Sequence, residues 1–263
     1  MRLNRYFQFS AQVFVFIFCA LLLLPTAKAD GLSDLKSALT SLQNDDVIKA
    51  KIAVKLDKTE GEGKDIERKA GNASIALEVT SHGLNVNYSL ETIKQLVAEQ
   101  TAYESTDGAQ IKTATVAAVE AINVENLRKM TDASQYLNSK LNRATFKYEQ
   151  ADVLQGQPAR LLIFELRNGN LSKKEQEYVK KYEGVLKVWI NPDGTPLASV
   201  WDESYAGRAY LVVSFKLSQK ESIAYGLAGK RLVATRYETL NKNTGGGELG
   251  ATRIVRTLEL QQP

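Results

Sequence analysis

Ile48, Ala50, Ile52, Val54 and Leu56 alternate with Lys49, Lys51, Ala53, Lys55 and Asp57, and a period of two is the mark of a half-buried strand. Ala73, Ile75, Leu77 and Val79 repeat the alternation, and Leu84, Val86, Tyr88 and Leu90 continue it after Ser81-His82-Gly83. A glycine in so short a gap predicts a tight hairpin between the two runs. Ahead of them, Leu32, Leu35, Leu39 and Leu42 recur at spacings of three and four, which predicts a short amphipathic helix over 30–43. Between about 91 and 143 the period changes. Ile93, Leu96 and Val97 fit one helix; Val116, Val119 and Ile122, then Leu127, Met130, Leu137 and Leu141, fit one or two more. Thr106-Asp107-Gly108 is the natural break. Strands return at about 145–154, 159–167, 184–191, 195–205, 209–217, 231–240 and 251–260. Ser172 and Glu175 have capping-box spacing, which predicts one helix over 172–181.

A helix, three strands, a helical insertion and seven more strands make an α+β chain. Its connections are too short for parallel crossovers, so the sheet is expected to be antiparallel. Ten strands rarely stay flat. The expectation is a large, strongly curled, half-barrel-like sheet with helices packed on its concave face.

Both tryptophans flank one turn, in Lys187-Val188-Trp189-Ile190-Asn191-Pro192-Asp193-Gly194-Thr195-Pro196-Leu197-Ala198-Ser199-Val200-Trp201. Asn-Pro-Asp-Gly suits a type I turn followed by a left-handed glycine. Asn191 then faces Thr195, and the expected register sets 189 against 197 and 187 against 199. Trp189, Trp201 and Lys187 would share a mixed face. Leu186, Val188, Ile190, Ala198 and Val200 would form an aliphatic one. A slip of one residue would separate the rings. The mixed face reads either as covered core or as an aromatic platform for a partner.

Arg2 and Arg5, the apolar run 13–24 and Ala27-Lys28-Ala29 together read as a secretory signal peptide over 1–29, cleaved before Asp30. The run is shorter than a bilayer span needs. Cys19 lies within it and follows Phe18, which argues against lipidation and leaves the remaining 234 residues without cysteine. Those residues read as a single α+β domain. The leader takes three of the 34 basic residues and none of the 30 acidic ones, so the net charge falls from +4 to +1 and points to no nucleic-acid partner. His82 is the only histidine and sits in a turn, so a histidine-based nucleophile site or zinc centre has no support. Asp45-Asp46 and Asp202-Glu203 read as solvated charges. No cofactor, catalytic or metal-binding motif stands out.

With its leading helix "GLSDLKSALTSLQ", its strand "VIKAKIAVKLDK" and its late hairpin "LKVWINPDGTPLASVWDE", the chain resembles the periplasmic lipoprotein-carrier, or outer-membrane lipoprotein-sorting, superfamily. The resemblance implies a half-closed barrel over helices, a cavity for acyl chains, and no catalysis. The expected function is that of an exported, periplasmic, non-enzymatic carrier of an apolar ligand such as lipid or acylated polypeptide. Ile52, Leu77, Val79, Val188, Val200 and Phe215 are the candidate lining residues. The alternative is a periplasmic adaptor that meets another envelope protein through Trp189, Trp201 and Lys187, without a cavity.

Overall fold

The computed structural model describes residues 30–63, 65–105, 114–167, 177–209 and 213–261. Gly31–Pro263 cluster as one compact unit. Its chain order is α1 (Gly31–Ser41), β1 (Ile48–Glu62), β2 (Asp65–Thr80), β3 (Gly83–Tyr88), α2 (Leu90–Ser105), α3 (Ala114–Glu120), α4 (Val124–Thr131), α5 (Ala133–Leu141), then β4 (Ala144–Leu154), β5 (Gln157–Leu166), β6 (Val179–Ile190), β7 (Pro196–Ala209), β8 (Val213–Ala228), β9 (Arg231–Gly245) and β10 (Glu248–Leu260). The ten strands form one open antiparallel sheet in the order β3-β2-β1-β10-β9-β8-β7-β6-β5-β4. This is the α+β class that the alternating periods predict. The Ser81-His82 hairpin is present, with Thr80 opposite Gly83.

Opposed residues of a ladder share a face, so the register identifies an inner and an outer surface. Ile48, Ala50, Ile52, Val54 and Leu56 are buried on the inner face, beside Val79, Leu77, Ile75 and Ala73 of β2. Farther along the sheet the same face carries Leu258, Tyr237, Ile223, Trp201, Leu186, Val188, Leu162 and Phe164. The helices cover it. α3 packs on β1 and β2, α4 on β9, α5 on β9 and β4, and α1 on β5, β7 and α5. They contribute Leu35, Leu39, Leu127, Met130, Leu137 and Leu141 to the core, joined by Ile122 just past α3. α2 is anchored differently. Its buried Thr92 hydroxyl donates to the Ser74 carbonyl, and its Glu99 carboxylate accepts the Thr115 and Val116 N–H groups. Leu90, Ile93 and Val97 of α2 remain exposed.

Two expectations are corrected. Val179–Lys181, placed in a helix with Ser172, begin strand β6; Ser172 and Glu175, like the expected break at 106–108 and the expected leader, lie outside the described residues. The second correction is in the tryptophan hairpin. The turn forms as expected: the Asn191 N–H donates to Thr195 O at 2.9 Å and the Gly194 N–H to Asn191 O at 3.0 Å, with Gly194 at φ +88°. Ile190 faces Pro196. The next pair, however, is Trp189 with Ala198, because Leu197 is an extra residue in a bulge. Every later pair is shifted by one, so Trp201 faces Leu186 and Val200 faces Lys187. The rings lie on opposite faces of the sheet. Trp201 is in the core at 2% exposure, whereas Trp189 is half-buried on the outer face.

Candidate functional site

Charged side chains on three adjacent strands hold the helical layer at three successive points. On β8, the Glu221 carboxylate accepts the Tyr136 hydroxyl of α5 at 2.7 and 2.9 Å and the Tyr237 hydroxyl at 2.9 Å. The Lys140 ammonium of α5 stands 3.3 Å from it. On β9, the Arg231 Nε donates to the Thr131 carbonyl at 2.8 Å, and its Nη2 pairs with Asp132 where α4 meets α5. On β10, the Arg256 Nε donates at 3.0 Å to the Ala121 carbonyl, just past α3. Glu221, Arg231 and Arg256 are each 4–6% exposed. Backbone carbonyls at helix ends have no partner within the helix, which is why arginines can grip them there.

Around Glu221 the cluster is aromatic and cationic. Lys140 lies 4.1 Å from the centroid of the Trp201 ring and Arg143 lies 5.3 Å from it. The indole thus carries two cations on its π system. Burial draws the Lys140 pKa down against the opposing pull of Glu221. Burial, reinforced by the Glu221 charge, lifts Tyr136 and Tyr237 well above the ordinary phenol range. One row further, Glu203 (7% exposed) accepts the Tyr205 hydroxyl at 2.8 Å and the Tyr182 hydroxyl at 3.4 Å. The Tyr182 pKa is pushed up to about 12, by burial first and then by Glu203. Arg256 has a lowered pKa from burial, and its Nη1 has no hydrogen-bond partner.

The outer face of β4–β7 presents a different surface. Its rows read Gln150–Leu161–Trp189–Ala198 and Tyr148–Ile163–Lys187–Val200, with Val185 beside Glu165 and Asp202. Leu161 is buried beneath this surface, while Ile163, Val185, Trp189 and Val200 are half-buried and Tyr148 is 52% exposed. The Trp189 Nε1 donates to the Asp152 carboxylate of β4 at 2.7 Å, which fixes the ring plane. The same bond holds Asp152 below the usual carboxylate range.

Of the six residues expected to line a ligand cavity, Ile52, Leu77, Val79 and Val188 lie in the core beneath the helices, at 8% exposure or less. Val200 is on the outer face instead. Phe215 is half-buried on the inner face, its ring over Gly207. Of the expected partner-facing residues, Trp189 and Lys187 share the outer face and Trp201 does not. A cleft of about 680 Å³ runs instead along Val124, Arg128, Gln135 and Tyr136 of α4 and α5. The sequence reading missed Glu221, Arg231 and Arg256. Arg256 and Glu221 have a signal, since each occupies an inward position in an alternating run, Ile254-Arg256-Leu258 and Glu221-Ile223. Among the described residues no group of histidine, cysteine and carboxylate side chains could hold a metal ion, and no helix is long and apolar enough to cross a membrane.

No family model matches the chain, and no curated protein matches it. Among solved structures the chain is similar to MucB, from its complex with MucA(peri). The identity is 9%, the match covers 88% of this chain and 93% of that one, and the TM-score is 0.21.

Proposed function

We propose that this chain is an exported, non-enzymatic interaction module that engages another envelope protein through the outer face of β4–β7. One observation carries the reading: a half-buried tryptophan, fixed by Asp152, stands among Ile163, Val185 and Val200 on the face opposite the helices. Aromatic anchors with an aliphatic surround and a polar rim are what binding hot spots are made of, and a ring held in place loses little entropy on association. Lys187, Gln150 and Asp202 supply the rim. The test is a photo-crosslinking side chain at Lys187 in envelope preparations. A single discrete adduct that Trp189→Ala abolishes supports the reading; adducts that survive Trp189→Ala count against it.

A second reading is a carrier of lipid or acylated polypeptide whose sheet curls strongly around the helices. It is favoured by Leu217, 44% exposed, next to half-buried Tyr205, Tyr182 and Phe215 on the inner face. Native mass spectrometry separates the two: stoichiometric co-purified lipid speaks for the carrier, a bare polypeptide mass for the adaptor.

A further inference from the structure

We propose that β4 pairs with the β4 strand of a second copy of this chain, antiparallel and centred on Gln150. β4 is an outermost strand of the sheet. Main-chain groups along an unpaired edge are a template for another strand. Val153 stands opposite Pro158, which has no N–H, so this is a non-hydrogen-bonded pair and the Val153 main-chain groups point away from β5. By alternation Glu149 and Ala151 also direct theirs outward.

The usable edge is bounded at both ends. Lys147 is the extra residue of a bulge between Phe146 and Tyr148, and a bulge with a lysine is a device that ends pairing. At the other end the outward Val153 N–H is already taken by the Asp152 carboxylate at 2.8 Å. Among the described residues no strand pairs with the outer edge of 148–152, whose middle residue is Gln150.

Self-pairing about that centre sets Glu149 against Ala151, Tyr148 against Asp152, and Gln150 against its own copy. Glu149 with Ala151 is then the hydrogen-bonded pair, and each inner and outer face continues unbroken into the second sheet. Glu149 is neutralised within its own chain by Arg160, at 2.6 Å, and Asp152 is held by Trp189. The other registers are worse. Centring on Glu149 or on Asp152 sets like charges face to face, and centring on Ala151 asks for the Val153 N–H that Asp152 occupies. So short a seam fits a reversible, concentration-dependent dimer. It would place two Trp189 surfaces side by side on one continuous face. The dimer does not depend on the adaptor reading.

The experiment uses the full sequence, expressed for export and purified, carrying Cys19→Ser so that an introduced thiol has no competitor whether or not the leader has been removed. Gln150→Cys places two thiols in a non-hydrogen-bonded pair, within the Cα separation a disulfide accepts. Expected is rapid linkage to a dimer under mild oxidation, far ahead of a Leu217→Cys collision control at an exposed site elsewhere. Ala151→Pro, which removes one outward N–H, should abolish that linkage while leaving the far-ultraviolet spectrum unchanged. Sedimentation of the Cys19→Ser chain should show mass doubling as concentration rises. Linkage no faster than the control, linkage that survives Ala151→Pro, or a monomer at every concentration would overturn the proposal. So would linkage through Ala151→Cys in place of Gln150→Cys.

Discussion

Lys140 holds its ammonium 4.1 Å from the centre of the Trp201 ring, so a cation from α5 and an indole from β7 are buried against each other with Glu221 alongside. Removing Glu221 leaves that cation, and the hydroxyls of Tyr136 and Tyr237, without their acceptor. Glu221→Ala should destabilise the fold by about 3–5 kcal/mol in urea unfolding. The pair Glu221→Leu with Lys140→Met should cost clearly less than Glu221→Ala alone, because no uncompensated charge remains. Equal losses would show that the ion pair is incidental.

Arg231 and Arg256 make a second contrast. Arg231 satisfies Thr131, Asp132 and, at 3.3 Å, the Asp46 carbonyl, whereas Arg256 keeps one bond to Ala121 and an unpartnered Nη1. Arg231→Met should therefore destabilise by about 3 kcal/mol or more, and Arg256→Met by about 1 kcal/mol or less. The same denaturant curves, measured side by side, decide the order.

The inner-face tyrosines predict alkaline lability. Their folded-state pKa values are raised, so the stability they contribute is fully present below the ordinary phenol value near 10 and is lost as pH climbs towards the folded values. The lowered Lys140 and Arg256 values act in the opposite sense, but on two groups against four. Stability measured by urea unfolding should fall steadily above about pH 10. The fall should be shallower in a Tyr182→Phe, Tyr205→Phe chain.

Single-tryptophan chains test the hairpin. With Trp189→Phe, the remaining Trp201 should emit to the blue and resist acrylamide. With Trp201→Phe, the remaining Trp189 should emit further to the red and be quenched readily. Similar accessibility of the two rings would contradict the bulge at Leu197.

Gly194 tests the seat of α1. It is buried, takes φ +88°, and a Cβ there would run into the main chain of Asp34. Gly194→Ala should cost about 1–3 kcal/mol in thermal unfolding.

Most of the architecture can be read from alternation alone. β1 and β2 announce their buried faces residue by residue, and the Asn191–Gly194 turn is specified by its own chemistry. Leu197 escaped because a bulge adds a residue without changing composition, and Pro196 and Leu197 look like ordinary strand residues. The start of β6 was misread because the Lys180-Lys181 run has no strong period of its own, so pairing with β7 decides its state. The clasp around Glu221 was invisible for another reason. Its parts, Tyr136 and Lys140 on α5, Trp201 on β7, Glu221 on β8 and Tyr237 on β9, come from four separate segments, and only the sheet order brings them together.

β1 and β10 lie side by side in the middle of the sheet, joined from Ala50 opposite Leu260 to Glu62 opposite Glu248. A chain that emerges N-terminus first must therefore hold β1–β3 under α3, without their sheet neighbour, until β10 arrives. Removing β10 would cut the sheet into pieces of three and six strands, so folding should wait on β10 and run slowly.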